Sequence, residues 1–233
     1  ADEAVVRHAT SDRVALLAAA MRLGGSGVRL FGSELSYTAT RLVAANCAQC
    51  CTARLIRSRQ TWLHKATSYD SGSTACGLID SGAPLDVVDT FGATPVFIAS
   101  GHRRNSMVLE SLLKHGADPN VVCPPPRFHY IGAPDPFGDE PERDCITALS
   151  RAAYEGTAQS VSLLLRYGAD LTKCSKRRRT ALHLSFARPR GDEARNEERR
   201  KIIQLLLNAG ADDTALDSLG NTPAQCVRNA YAW

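Results

Sequence analysis

One spacing constrains this chain more than any single residue in it. Thr61 and Thr94 stand 33 residues apart, Thr147 and Thr180 again stand 33 apart, and each threonine opens a similar apolar motif. The copies read Thr61-Trp62-Leu63-His64-Lys65-Ala66, Thr94-Pro95-Val96-Phe97-Ile98-Ala99, Thr147-Ala148-Leu149-Ser150-Arg151-Ala152 and Thr180-Ala181-Leu182-His183-Leu184-Ser185, and Thr222-Pro223-Ala224 opens a fifth. A chain with this period is a row of like units, each burying its apolar face against the next.

Within each unit the signals come in a fixed order. Each threonine can cap a helix by accepting a backbone N–H, and Pro95 and Pro223 fall at the first helical position, where no N–H is needed. Downstream, an aliphatic pair is followed by Gly-Ala: Leu78-Ile79 before Gly82, Leu112-Leu113 before Gly116, Leu164-Leu165 before Gly168 and Leu206-Leu207 before Gly210. Glycine there permits the left-handed backbone that ends a helix. The Thr-to-Gly distance is 21 residues in the first and third units, 22 in the second and 30 in the fourth, so about nine residues enter between the two helices of the fourth unit. Turns of the form Asp89-x-x-Gly92-x-Thr94 and Asp217-x-x-Gly220-x-Thr222 lead into two of the units, whereas Cys145 and Arg178 replace the glycine in the other two. Those two turns are expected to be distorted or held by a partner.

Period, motif and turn together resemble the ankyrin repeat over about residues 56–233. The resemblance implies an all-α fold, an ankyrin-repeat solenoid of stacked helix-turn-helix units. Four repeats start near Thr61, Thr94, Thr147 and Thr180, a half-repeat starts at Thr222, and insertions fall at about 123–144 and 187–201. It also implies that His64 and His183 are hydrogen-bonding staples between neighbouring units, not metal ligands or catalytic groups.

Composition narrows the class further. No apolar run reaches the length of a membrane span; the Val14–Met21 stretch is flanked by Arg13 and Arg22 and suits a packed amphipathic helix, so no membrane insertion is expected. The chain starts at Ala1 and not at Met, which leaves room for upstream residues or a targeting presequence. Eight scattered cysteines point to an intracellular, reducing compartment, with cytoplasm and mitochondrial matrix both open. Cys47-x-x-Cys50 is half a zinc site with no second pair at finger-like spacing, so neither metal nor cofactor is expected. With no nucleophile beside a base, no phosphate loop and no paired carboxylates, the chain is read as non-enzymatic.

Departures from the period carry the functional signal. Residues 1–55 read as an N-terminal helical module with a basic face, since the stretch from Arg41 to Arg59 carries Arg41, Arg54, Arg57 and Arg59 and no acidic residue. From Cys123 to Asp144 a proline-rich insertion presents Phe128, Tyr130 and Phe137, aromatic candidates for partner anchoring. The turn before Thr180 carries Lys173, Lys176, Arg177, Arg178 and Arg179, a basic edge suited to phosphate or an acidic protein surface. The inserted residues up to Lys201 are expected to lengthen a helix into a charged spur with a Glu197–Lys201 pair, and Trp233 sits at the open end of the stack.

Two functions fit these features. The first is a protein–protein interaction scaffold or adaptor. The alternative is an accessory structural subunit of a large organellar assembly, such as a mitochondrial ribosome or respiratory complex, with RNA contact through the basic patches. Of 28 cationic residues, 23 are Arg, which serves either reading.

Overall fold

The computed structural model describes residues 60–68, 72–123, 146–155, 157–187 and 193–226. The expected N-terminal module with Arg41, Arg54, Arg57 and Arg59 lies outside them, as do Phe128, Tyr130, Phe137 and Trp233. Four helix pairs follow one another: α1 (Trp62–Ser68) with α2 (Gly72–Asp80), α3 (Pro95–Ser100) with α4 (Ser106–Lys114), α5 (Ala148–Glu155) with α6 (Ala158–Arg166), and α7 (Ala181–Ala187) with α8 (Glu193–Asn208). A 3-10 turn, Pro223–Gln225, starts the fifth unit. No strand occurs among the described residues, and the fold is all-α.

The motif residues explain where the first helices begin. The hydroxyl of Thr94 accepts from Phe97 N at 3.2 Å and that of Thr147 from Ser150 N at 3.2 Å. The second helices all end in one way. Gly82, Gly116, Gly168 and Gly210 have φ between 80° and 91°, and each following alanine N–H reaches back to the first residue of the aliphatic pair, as in Ala169 N to Leu164 O at 2.9 Å. This double closure satisfies carbonyls that would otherwise be orphaned at the helix end.

Units pack in two rows. Helices α1, α3, α5 and α7 lie side by side, and α2, α4, α6 and α8 lie side by side behind them. One apolar cluster threads the whole stack, from Leu63 and Leu78 through Val96, Leu109, Leu112, Leu149 and Leu164 to Leu182, Ile202 and Leu206, all buried. Full burial of each such side chain stabilises by about 1.5–3 kcal/mol, and most of it is gained against a neighbouring unit. A second cluster, with Phe97, Ile98, Cys123, Ile146 and Leu184, lies where the second, third and fourth units meet.

The 22-residue segment 124–145 occupies one turn of the stack. In the first turn Asp89 N donates to Ala93 O, and in the last Asp217 N donates to Asn221 O. Cys123 and Ile146 take those same positions, bonded to each other both ways at 2.9 and 2.8 Å. Each of Asp89, Cys123, Ser175 and Asp217 lies seven residues beyond its helix-ending glycine. The flanking residues therefore keep the stack in register across the insertion, whose interior lies outside the described residues.

The glycine-free turn before Thr180 shows no distortion, the first of the two outcomes expected for it. Arg178 adopts φ 57°, the conformation that Gly92 and Gly220 supply at φ 76° and 78°. Ser175 substitutes for the aspartate: its N–H donates to Arg179 O at 2.9 Å, its carbonyl accepts from Arg178 N at 2.8 Å, and its hydroxyl accepts from Arg179 N at 3.2 Å.

Helix α8 has 16 residues against nine in α4 and α6, and ends at the same offset from its glycine, so the extra seven (16 − 9) lie at its start. They are more than a spur. Glu198 reaches the preceding unit, where its Oε1 accepts from Ala158 N at 3.0 Å and so caps α6. Thr157, at the cap position itself, makes no side-chain cap bond and donates instead to Ser100 O at 3.2 Å. The expected Glu197–Lys201 pair is replaced by Glu197 with Arg200, one residue nearer.

Arg151 is the unexpected buried cation, only 5% exposed. Its Nη1 donates to Phe97 O at 2.9 Å and its guanidinium lies 4.8 Å from the centre of the Phe97 ring. Burial pulls its pKa down to about 10, opposed by Glu155, and a guanidinium at that value is still charged at neutral pH. Gly101 makes room for it, because a Cβ there would fall 2.8 Å from Nη2 and closer still to Nε. Gly101→Ala is expected to cost about 1–3 kcal/mol by overpacking. In an Arg151→Ala background the same change should cost far less, giving a non-additive double-mutant cycle in urea unfolding.

Candidate partner-binding surface

The four turns between units form adjacent fingers, and their hydrogen bonds set which side chains face out. In the first finger Asp89 is buried, its Oδ1 accepting from Phe91 N at 2.8 Å and Ala93 N at 3.0 Å. Asp217 repeats this with Leu219 N at 2.8 Å and Asn221 N at 2.9 Å. Burial raises the Asp217 carboxyl pKa, but the N–H groups of Asn221 and Leu219, the Asn221 side chain and Arg179 outweigh it, so the net shift is downward.

The residue just before each opening threonine faces the aspartate position of the next finger. Gln60 Nε2 donates to Asp89 Oδ2 at 3.1 Å, and Arg179 Nε stands 3.6 Å from Asp217 Oδ2. Where that position holds Cys123 or Ser175, the matching residues are the apolar Ala93 and Ile146. Arg179, with a side chain 16% exposed, is thus a tie between fingers. The other residues of the basic turn point more outward: Lys176 and Arg178 are exposed, and Lys173 and Arg177 are half-buried. Ser218 N donates to the Arg177 carbonyl at 2.8 Å, which sets the basic finger directly beside the last one.

The histidines brace these fingers from behind. Thr61 N donates to His64 Nδ1 at 3.1 Å, so Nε2 carries the proton and donates to Ala93 O at 3.0 Å. His183 repeats the arrangement, with Thr180 N at 3.2 Å and Asn221 O at 3.3 Å. Phe97 and Ser150 fill the histidine position in the middle units. Both histidines thus tie the finger base of the next unit.

A row of exposed side chains results, which motif reading had missed. Val88, Val122, Cys174 and Leu216 each lie six residues beyond the helix-ending glycine, and all four are exposed, Val122 at 47% and Leu216 at 49%. Phe91 and Leu219 add exposed apolar tips, Leu219 at 72%. Counting from the glycine, rather than from the threonine, would have found them. Cys123 and Cys226 are buried free thiols whose pKa burial pushes up, so neither offers a ready thiolate. No cluster of three or more His, Cys, Asp or Glu suited to a metal occurs among the described residues, and none of their helices is long and apolar enough to cross a membrane.

The ankyrin repeat family model matches residues 91–123, which begin at one finger tip and end at the base of the next. The stack has the ankyrin-repeat fold. It is similar to Ankyrin repeat and SOCS box protein 6 of Homo sapiens, 31% identical over 150 residues, covering 64% of this chain and 31% of that protein. The protein of the same name from Pongo abelii matches over the same lengths with the same identity. Probable E3 ubiquitin-protein ligase XBOS34 of Oryza sativa subsp. japonica is 29% identical over 116 residues, 50% of this chain and 19% of that protein. The chain thus spans under a third of the length of these relatives.

The staple makes stability pH-dependent. Burial lowers the pKa of His183 below its ordinary 6.5, with Asn221 O and Asp217 opposing and Arg179 assisting. Its neutral form is the bonded one, so its contribution is complete above about pH 6.5 and falls as acid titrates the unfolded chain first, by up to about 1.4 kcal/mol per pH unit. The urea midpoint should fall between pH 7 and pH 5, and His183→Gln should lower it at pH 7 and flatten that slope.

Proposed function

We propose that this chain is a non-catalytic recognition module, an adaptor that holds a protein partner on its fingers. One observation carries the reading: four exposed side chains at one register, three of them aliphatic, flanked by the tips Phe91 and Leu219. Exposed apolar side chains repeated at one register along a stack place apolar surface on one edge, where a partner can cover it. An ankyrin stack implies a protein partner, while fold alone does not name it.

The relatives' names narrow the kind of adaptor. Two carry "SOCS box" beside the repeats, and a third is named a probable E3 ubiquitin-protein ligase. We read this chain by analogy as the part that selects a target for such a ligase. Phe128, Tyr130 and Phe137 of the insertion and Trp233 are further candidate anchors. An RNA-bound organellar assembly has no counterpart in those three names.

The test is a comparison of complexes purified with the wild-type chain and with a Val122→Asp, Leu216→Asp variant. Both positions are exposed, so the variant should unfold within about 0.5 kcal/mol of wild type. Its protein partner should be lost, and a target partner's ubiquitination in cells should fall with it. An unchanged set of partners would remove the fingers as the binding surface. Retained partners with unaltered ubiquitination on deletion of the chain would remove the ligase reading alone.

A further inference from the structure

Arg178 is held in a conformation its turn does not need an arginine to reach. Glycine fills the equivalent position in the first and last fingers, with the same hydrogen bonds around it. A side chain bearing a Cβ is disfavoured there, and backbone outliers of this kind cluster where a side chain is used. Arg178 is exposed, as is Lys176, and Lys173 and Arg177 stand beside them half-buried. The bond from Ser218 N to the Arg177 carbonyl places the exposed Leu219 on the neighbouring tip. Val122 and Leu216 occupy the exposed row on the fingers either side of Cys174.

Resting on the partner-binding reading above, we propose that the finger 173–179 receives an acidic segment of the partner protein. Its carboxylates meet Arg178 and Lys176, and its aliphatic side chains lie on Val122, Leu216 and Leu219. The guanidinium of arginine presents paired donors that match a carboxylate in two parallel bonds. A nucleic acid strand asks for positive charge continued along its backbone and for aromatic platforms. Here the basic finger adjoins one that presents Leu216 and Leu219 beside the exposed Asp212 and Asp213, and Arg179 is turned inward to Asp217, so positive charge stops at this finger. The uniformly positive finger 173–179, beside Val122, Leu216 and Leu219, complements a peptide in which Asp or Glu alternates with Leu, Ile or Val.

A random peptide phage library selected on the immobilised 233-residue chain tests this, with Arg178→Gly, Arg178→Asn and Lys176→Glu variants selected in parallel. Wild type should enrich peptides with acidic residues next to aliphatic ones. A synthetic peptide of that consensus should bind Arg178→Gly about tenfold more weakly, the loss expected for one charge-assisted bond. The same variant should melt about 2–4 °C higher, since glycine relieves the backbone. Arg178→Asn, which tolerates the conformation without the charge, should lose affinity likewise. Enriched peptides without acidic residues, or affinity for Arg178→Gly equal to wild type, would overturn the proposal. Peptides that Val122→Asp and Leu216→Asp abolish but Arg178→Gly does not would leave the partner-binding reading standing without it; a selection yielding none sensitive to either would remove both. A uridine homopolymer bound more tightly than the peptide, with steep loss in salt, would assign the finger to nucleic acid instead.

Discussion

Burial between neighbouring helix pairs is the constraint on which everything else rests. A pair such as α5 and α6 has apolar side chains on both flanks, Leu149 and Leu164 among them, and cannot cover them alone. The pair is stable because α3 and α4 lie on one side and α7 and α8 on the other. Stability is therefore a property of interfaces repeated along the chain, and each interface must keep its spacing. That requirement explains why a long insertion and an enlarged helix are admitted only where they leave the spacing untouched: between the paired Cys123 and Ile146, and at the start of α8.

Fingers keep that spacing by a small set of matched choices. A buried aspartate in one finger goes with a donor, Gln60 or Arg179, just before the preceding opening threonine; Cys123 and Ser175 go with Ala93 and Ile146. A donor facing an alanine, or a buried carboxylate facing an isoleucine, would leave a polar group unsatisfied at a cost of about 1–3 kcal/mol. Side chains beyond the ends of α2 and α4 add to the register, since Asp86 Oδ1 accepts from Asp118 N at 3.1 Å and Asn120 Oδ1 from Asp170 N at 2.8 Å. The surface offered to a partner is what remains after these ties are made.

Much of this was legible in the sequence, because a period states itself several times. The helix starts at Thr94 and Thr147, the glycine stops and the staples at His64 and His183 follow from residues whose chemistry has few alternatives at those positions. Arg178 defeated the same logic. A glycine-based rule read its absence as distortion, whereas the backbone accepts arginine at a modest cost when Ser175 supplies the turn's hydrogen bonds. Arg179 looked like one more surface cation in a basic run, and only the neighbouring finger reveals that it faces Asp217. Arg151 carried no signal at all, since its place depends on the space that Gly101 leaves one unit away. Charge runs report composition, while orientation is decided by contacts across units.

The exposed row exists only if the insertion finger keeps the same base as its neighbours, and amide hydrogen exchange of the native chain measures that base directly. Cys123 and Ile146 donate to each other across the start and end of segment 124–145. Their amides should be protected to a similar degree as those of Asp89 and Asp217, which hold the first and last fingers. Exchange of both at the rate of an unstructured peptide, with Asp89 and Asp217 protected, would contradict the shared register and with it the surface on which partner binding is proposed.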